Sequence, residues 1–182
     1  RAFAYTPPTG FKALNTKNLS PNVPSIVRPQ KHFDTILYTG NNGSQTITGL
    51  EFDPDLVWAK NRQDAGYHHD LYDTVRGNNL RLFPSQTQPE ATGYLQFGVT
   101  GGFSLTSGGG INQNNKNHVA WCWKAGGSAV SNTDGTITSQ VSANTEAGFS
   151  IMTWQGTGYV SGKTIGHGLG KATKVVWAKR RN

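Results

Sequence analysis

Between residues 33 and 127, apolar and polar residues alternate with a period of two, and this alternation predicts a series of short β-strands. DTILYTG is followed by an NNGS turn and then by QTITGLEF. In DPDLVWAKN, Leu56, Trp58 and Lys60 share one face, while Val57 and Ala59 share the other. HHDLYDTV, NLRLF, GYLQFGV and GFSLTS continue the series, and HVAWCWKAG closes it with Val119, Trp121 and Trp123 on one face. Turn residues recur at roughly 8–12-residue intervals, the spacing of a sandwich or barrel. No window carries apolar residues at i, i+3, i+4 and i+7, so the expected fold is all-β, an antiparallel β-sandwich. Trp58, Trp121 and Trp123, at alternating strand positions, are expected as bulk of the sandwich core.

One segment of the pattern returns. Leu50, Val57, Trp58, Ala59, Lys60 and Arg62 recur at Leu169, Val176, Trp177, Ala178, Lys179 and Arg181, a constant spacing of 119 residues. Before each copy, Ile36–Gly40 (ILYTG) faces Ile151–Gly156 (IMTWQG). The period is too long for a solenoid repeat or a propeller blade and fits one small domain per repeat. It divides the chain into an N-terminal segment over 1–32, a complete β-sandwich repeat over 33–127, a linker over 128–148 and a truncated second repeat over 149–182. About a third of a domain cannot bury its own core. The second copy is therefore expected to belong to a longer polypeptide or to complete itself on a neighbour, and Trp58 and Trp177 are expected at equivalent core positions.

Residues 1–32 lack sustained periodicity, and Pro7, Pro8, Pro21, Pro24 and Pro29 make them an extended strap. Twenty-three glycines favour short strands and tight turns. The net charge of +7 is localised: residues 1–146 hold eleven basic and ten acidic side chains, and the excess comes from Lys163, Lys171, Lys174, Lys179, Arg180 and Arg181. A charge confined to the incomplete copy argues against nucleic-acid binding. No apolar run is long enough to span a membrane. Cys122 stands alone between two tryptophans, which excludes a disulfide framework and reads as a small buried hydrophobe.

Candidate chemistry is sparse. His68, His69, Asp70 and Asp73 form the densest group of potential ligands, but strand alternation sends His69 away from His68 and Asp70, so no metal site is expected. There is no Gly-x-Ser-x-Gly elbow, and ten acidic residues offer no paired carboxylates, so no catalytic residue and no cofactor are assigned. Gly101–Gly102 and Gly108–Gly110 precede neither a helical segment nor a Lys-Ser/Thr pair and read as hairpin turns rather than phosphate loops. Trp154 and Tyr159 lie close to a Gly-rich loop, QGTGYVSG, and are the binding candidates, as exposed rings that could stack on sugar or on a protein partner.

Residues 3–19, FAYTPPTGFKALNTKNL, resemble the C-terminal end of the SPRY-like domains of bacteriophage tail-fibre and other virion proteins, where such a phrase closes a concanavalin-like β-sandwich. FDTILYTGNNGSQTITGLEFDPDLVWAKNR, LYDTVRG, GGFSLTSGG and HVAWCWKAGG resemble the repeated β-domain that follows it in marine, cyanophage-like structural proteins. The resemblance implies a jelly-roll or concanavalin-like sandwich and a non-enzymatic virion component on the particle surface. A tail-fibre module for host attachment is the first expectation, a capsid decoration or cement protein the alternative, and a glycan-degrading enzyme the third. The implied partners are other virion proteins, further copies of the chain (a trimer being the expected oligomer) and a host-surface glycan or receptor.

Overall fold

A computed structural model describes residues 8–10 and 26–182. The N-terminal strap, with most of the SPRY-like phrase, lies largely outside the described residues. After a 3-10 turn at Pro29–Lys31 come β1 (Phe33–Thr39), β2 (Gln45–Thr48), β3 (Leu56–Asn61), β4 (Asp70–Asp73), β5 (Leu80–Arg81) and β6 (Ala91–Thr92). They are followed by β7 (Leu95–Val99), β8 (Gly102–Leu105), β9 (Asn117–Trp123), β10 (Val130–Asn132), β11 (Ser139–Asn144) and β12 (Phe149–Trp154). The described chain is nearly all β, with no α-helix, and every ladder between these strands is antiparallel.

Two sheets enclose the main core. The first has the order β1-β9-β3-β4 and the second β2-β8-β7. The first turns Val57, Ala59, Tyr72, Ala120 and Cys122 inward, and the second supplies Ile47, Leu95, Phe103 and Leu105. The rings of Tyr38 on β1 and Phe103 on β8 meet edge-on, with centroids 6.1 Å apart, across the interior. Burying side chains such as Phe103 and Leu95 is worth about 1.5–3 kcal/mol each.

The tryptophans do not belong to this core. In β9 the inward set is His118, Ala120 and Cys122, all fully buried, whereas Trp121 and Trp123 are half-buried on the opposite face with Trp58. Alternation correctly places Trp121 with Trp123 and Trp58 with Lys60, but the buried side is the other one. The reason is volume: β3 and β9 lie next to each other in mid-sheet, facing Phe103 and Leu95, and a layer about 10 Å thick leaves room there for Ala, Val and Cys, not for indoles.

A second correction concerns residues 128–148. The polar segment expected as a linker holds β10 and β11, which join β12 in a separate three-stranded sheet of order β10-β11-β12. Val141 and Ile151 are its buried apolar residues, with Ser139 and Ser142 buried beside them. Ser142 ties this sheet to the end of β9: its hydroxyl accepts from the Gly126 N–H at 2.9 Å and donates to the Gly127 carbonyl at 2.7 Å. Of the second repeat, only β12 forms a strand, and residues 155–182 contain a single isolated bridge, Ile137 to Ile165.

Candidate functional site

The ladders of the first sheet assemble an aromatic surface on its outer face. Register places Trp58 directly opposite Trp121, and Phe33 opposite Trp123. The two indoles meet edge-on with centroids 6.0 Å apart, and the Phe33 and Trp123 rings lie 4.8 Å apart. His69, just before β4, meets Trp58 edge-on at 5.6 Å and stacks on Trp121 at 6.5 Å. Burial, with the nearby charges of Lys60 and His68, lowers the His69 pKa below its ordinary value. Leu37, 62% exposed, extends the apolar face along β1.

The second repeat lays its own aromatics on this surface. Phe149 stacks on Trp123 at 6.2 Å, and Trp177 meets Trp58 edge-on at 5.4 Å. Residues 177–181 are then fastened to the loop between β5 and β6. Lys179 Nζ donates to the carbonyls of Gln86 and Gln88, and the Arg181 guanidinium makes two bonds to the Glu90 carboxylate. The Glu90 N–H closes the contact by donating to the Arg181 carbonyl at 2.6 Å. Burial alone would raise the Glu90 carboxyl, but hydrogen bonds from Arg181 and Arg76 outweigh it and hold the group below the ordinary carboxylate value. Trp58 and Trp177 are thus repeat equivalents that touch each other, rather than occupants of two equivalent cores.

The two binding candidates, Trp154 and Tyr159, separate. Trp154 ends β12, is 39% exposed and lines a groove of about 220 Å3 with Thr138, Gln140, Thr153, Gln155 and Arg181. Tyr159 stands fully exposed in the following loop and does not line that groove. Hydroxyls, amides and a guanidinium around an indole can hydrogen-bond a sugar or a peptide backbone equally well.

The remaining sequence candidates have ordinary structural surroundings. Asp70 points inward, where its carboxylate accepts from the Tyr72 hydroxyl and from Arg81, both at 3.3 Å, while His68 faces Gln86. Among the described residues no three His, Cys, Asp or Glu side chains converge to hold a metal ion. Burial pushes the Cys122 thiol up to about 12, which keeps it protonated and unreactive. Gly101 makes the β7–β8 hairpin turn at φ +65°, whereas Gly108–Gly110 lie in the longer loop from β8 to β9. No described helix is long and apolar enough to cross a membrane.

The sequence reading missed the Trp177–Lys179–Arg181 anchor. Its only trace in the sequence is the recurrence of the VWAK motif, which marks equivalence and not contact. A family model described as a domain of unknown function (DUF7483) matches residues 28–182. No curated protein and no solved structure matches the chain.

Proposed function

The chain belongs to the DUF7483 family, and from that premise we propose that it is a non-enzymatic structural module of a bacteriophage virion, displayed on the particle surface and serving host attachment as part of a tail fibre. The observation that carries this reading is the way one module fastens onto the next. Phe149, Trp177, Lys179 and Arg181 of the second repeat dock on the face and loops of the first through aromatic, carbonyl and carboxylate contacts together. Modules that grip their neighbours in this manner build a stiff, repetitive body. A body of that kind holds many weak receptor contacts at high effective concentration and gains avidity without a deep pocket. The virion itself enters through the motif resemblance at residues 3–19 and 33–127.

The experiment is immunolabelling of purified particles of the encoding phage with antibodies to residues 33–182, combined with an adsorption assay in which the purified protein competes. Label on the fibres and slower adsorption are the expected results. Particles that carry no label would remove the virion reading. Label on the capsid with unchanged adsorption would replace attachment by capsid decoration.

A further inference from the structure

The outer faces of the two sheets of the main sandwich differ in chemistry. That of β1-β9-β3-β4 carries the aromatic surface, whereas that of β2-β8-β7 carries hydroxyls and amides. Alternation sends Ile47, Leu95, Phe103 and Leu105 into the core, so Thr46, Gln96 and Ser104 point outward. Register sets these three in one row: Thr46 of β2 lies opposite Ser104 of β8, and Ser104 lies opposite Gln96 of β7. Neighbouring strands are about 4.8 Å apart, so the row offers a polar group at that interval across the whole sheet.

The row lies in a shallow groove of about 330 Å3, which Ser44, Gln45 and Thr106 also line. Hydrogen bonds already occupy this second set. The Ser44 hydroxyl donates to the Thr106 carbonyl, the Thr106 hydroxyl to the Tyr94 carbonyl, and Gln45 Nε2 to Asn112 Oδ1. The side chains of Thr46, Gln96 and Ser104 make no hydrogen bond to another described residue, and their donors and acceptors stay available. Charge is missing as well. Residues 41–50 and 91–115, which hold all three strands and the turns beside them, contain no Lys, Arg, Asp, Glu or His, although 15% of the chain is charged.

We propose that this groove binds a neutral polysaccharide, which lies across β2, β8 and β7 and hydrogen-bonds through its hydroxyls to Thr46, Ser104 and Gln96. The lining selects that ligand. Nucleic acids and anionic lipid surfaces need Lys or Arg against their phosphates, and the groove has neither. The centre of a protein interface is enriched in aromatic residues, Met and Arg and depleted in Ser, the reverse of this surface. An uncharged, hydroxyl-rich chain asks for donors and acceptors without charge, and hydroxyl and amide side chains supply both. Thr46 has a restricted χ1 and β8 is paired along both edges, so the platform is set before the ligand arrives. No ring lines the groove to stack on sugar, so each groove holds its ligand weakly, as suits a body that gains its grip from repetition. The inference rests on the attachment reading and deepens it by naming the ligand class.

The test is an NMR titration of the purified chain with soluble oligosaccharides from a β-glucan, a mannan and a galactan. With at least one of them, the expected result is saturable shifts centred on the amides of Thr46, Gln96 and Ser104. The affinity should be the same at low salt and at about 0.5 M NaCl, because no charge takes part. Thr46→Ala combined with Gln96→Ala removes two outward polar groups, leaves the core untouched and should weaken binding by about tenfold. A urea midpoint checks that this variant folds, and the shift map of the unaltered chain decides the matter if it does not. The proposal is overturned if none of the three saturates, if the shifts fall in the Trp154 groove instead, or if the folded double variant binds as tightly as the unaltered chain. Labelled capsids with unchanged adsorption would remove the attachment role and leave the saturable shifts in place, so the two failures are told apart.

Discussion

The indole N–H of Trp58 donates to Nδ1 of His69 at 2.9 Å, which requires that Nδ1 carry a lone pair and therefore that the imidazole be neutral. The burial that brings the two rings together also disfavours the imidazolium and lowers the His69 pKa below its ordinary 6.5. Well above pH 6.5 the ring is neutral in the folded and the unfolded chain alike, so His69 contributes no pH dependence there. As pH falls below 6.5, the unfolded chain takes up the proton first and stability declines until the folded ring titrates. Tryptophan emission followed from pH 8 to pH 4 is expected to change as the ring titrates, below pH 6.5, and His69→Phe should remove that transition. A transition unchanged in H69F would show that the Trp58–His69 bond does not control it.

His118 gives the same sign by another route. It is fully buried in β9, its ring stacks on Tyr38 at 5.2 Å, and neither ring nitrogen makes a well-formed hydrogen bond, the backbone of Lys116 and Gly110 offering only poorly aligned contacts. Burial lowers its pKa, partly countered by the backbone of Lys116 and Gly110. An unsatisfied buried polar group costs about 1–3 kcal/mol, and protonation in that position costs more. His118→Phe keeps an aromatic ring against Tyr38. It should leave stability at pH 8 within about 1 kcal/mol of wild type or raise it, and it should flatten the loss of stability below pH 6.5. Urea unfolding at pH 8 and pH 5 checks both; an acid limb as steep in H118F as in wild type would count against the assignment.

These two histidines show what alternation can and cannot tell. Period two put His118 with Ala120 and Cys122, and Trp121 with Trp123, and the ladder registers agree. It could not say which set faces inward, because hydropathy favours the indoles whereas the narrow interior opposite Phe103 admits only the smaller set. In β10 and β11 the opposite failure occurred. Ser139 and Ser142 are buried as hydrogen-bonding residues, so a genuine strand pair read as a polar linker. The grooved end of β12 was legible only as Trp154, since its partner Arg181 lies 27 residues farther along and reaches it through the anchor on Glu90.

Arg76 and Arg181 grip the same carboxylate, Glu90, and they should differ sharply on removal. The Arg76 side chain is 2% exposed and donates to Asp73, to Glu90 and to the carbonyls of Leu71 and Leu80. Arg76→Ala leaves the buried Asp73 without that cation and should cost about 3–5 kcal/mol. Arg181 is 46% exposed, and Arg181→Ala should cost less than about 1 kcal/mol. Chemical denaturation of the two variants under one set of conditions reads the contrast. Similar losses would mean that the anchor of the second repeat, and not the buried network, dominates this corner.

Gly102 is a point of close backbone approach between β2 and β8. A Cβ there would lie 1.9 Å from the Ile47 carbonyl oxygen, a backbone atom that cannot rotate away. Gly102 pairs with Thr48 on one side and Val99 on the other, so the strain of any side chain falls on both ladders of the second sheet. Gly102→Ala is expected to destabilise the sandwich by about 2 kcal/mol or more, in the range of severe overpacking. Gly43, in the β1–β2 turn, offers the matched control: its φ is not in the left-handed region, and the nearest atom to an added Cβ is 3.8 Å away. Gly43→Ala should change stability by less than about 0.5 kcal/mol. Equilibrium unfolding of the pair decides the matter, for if G102A unfolds at the midpoint of G43A, the β2–β8 contact is looser than the ladder geometry requires.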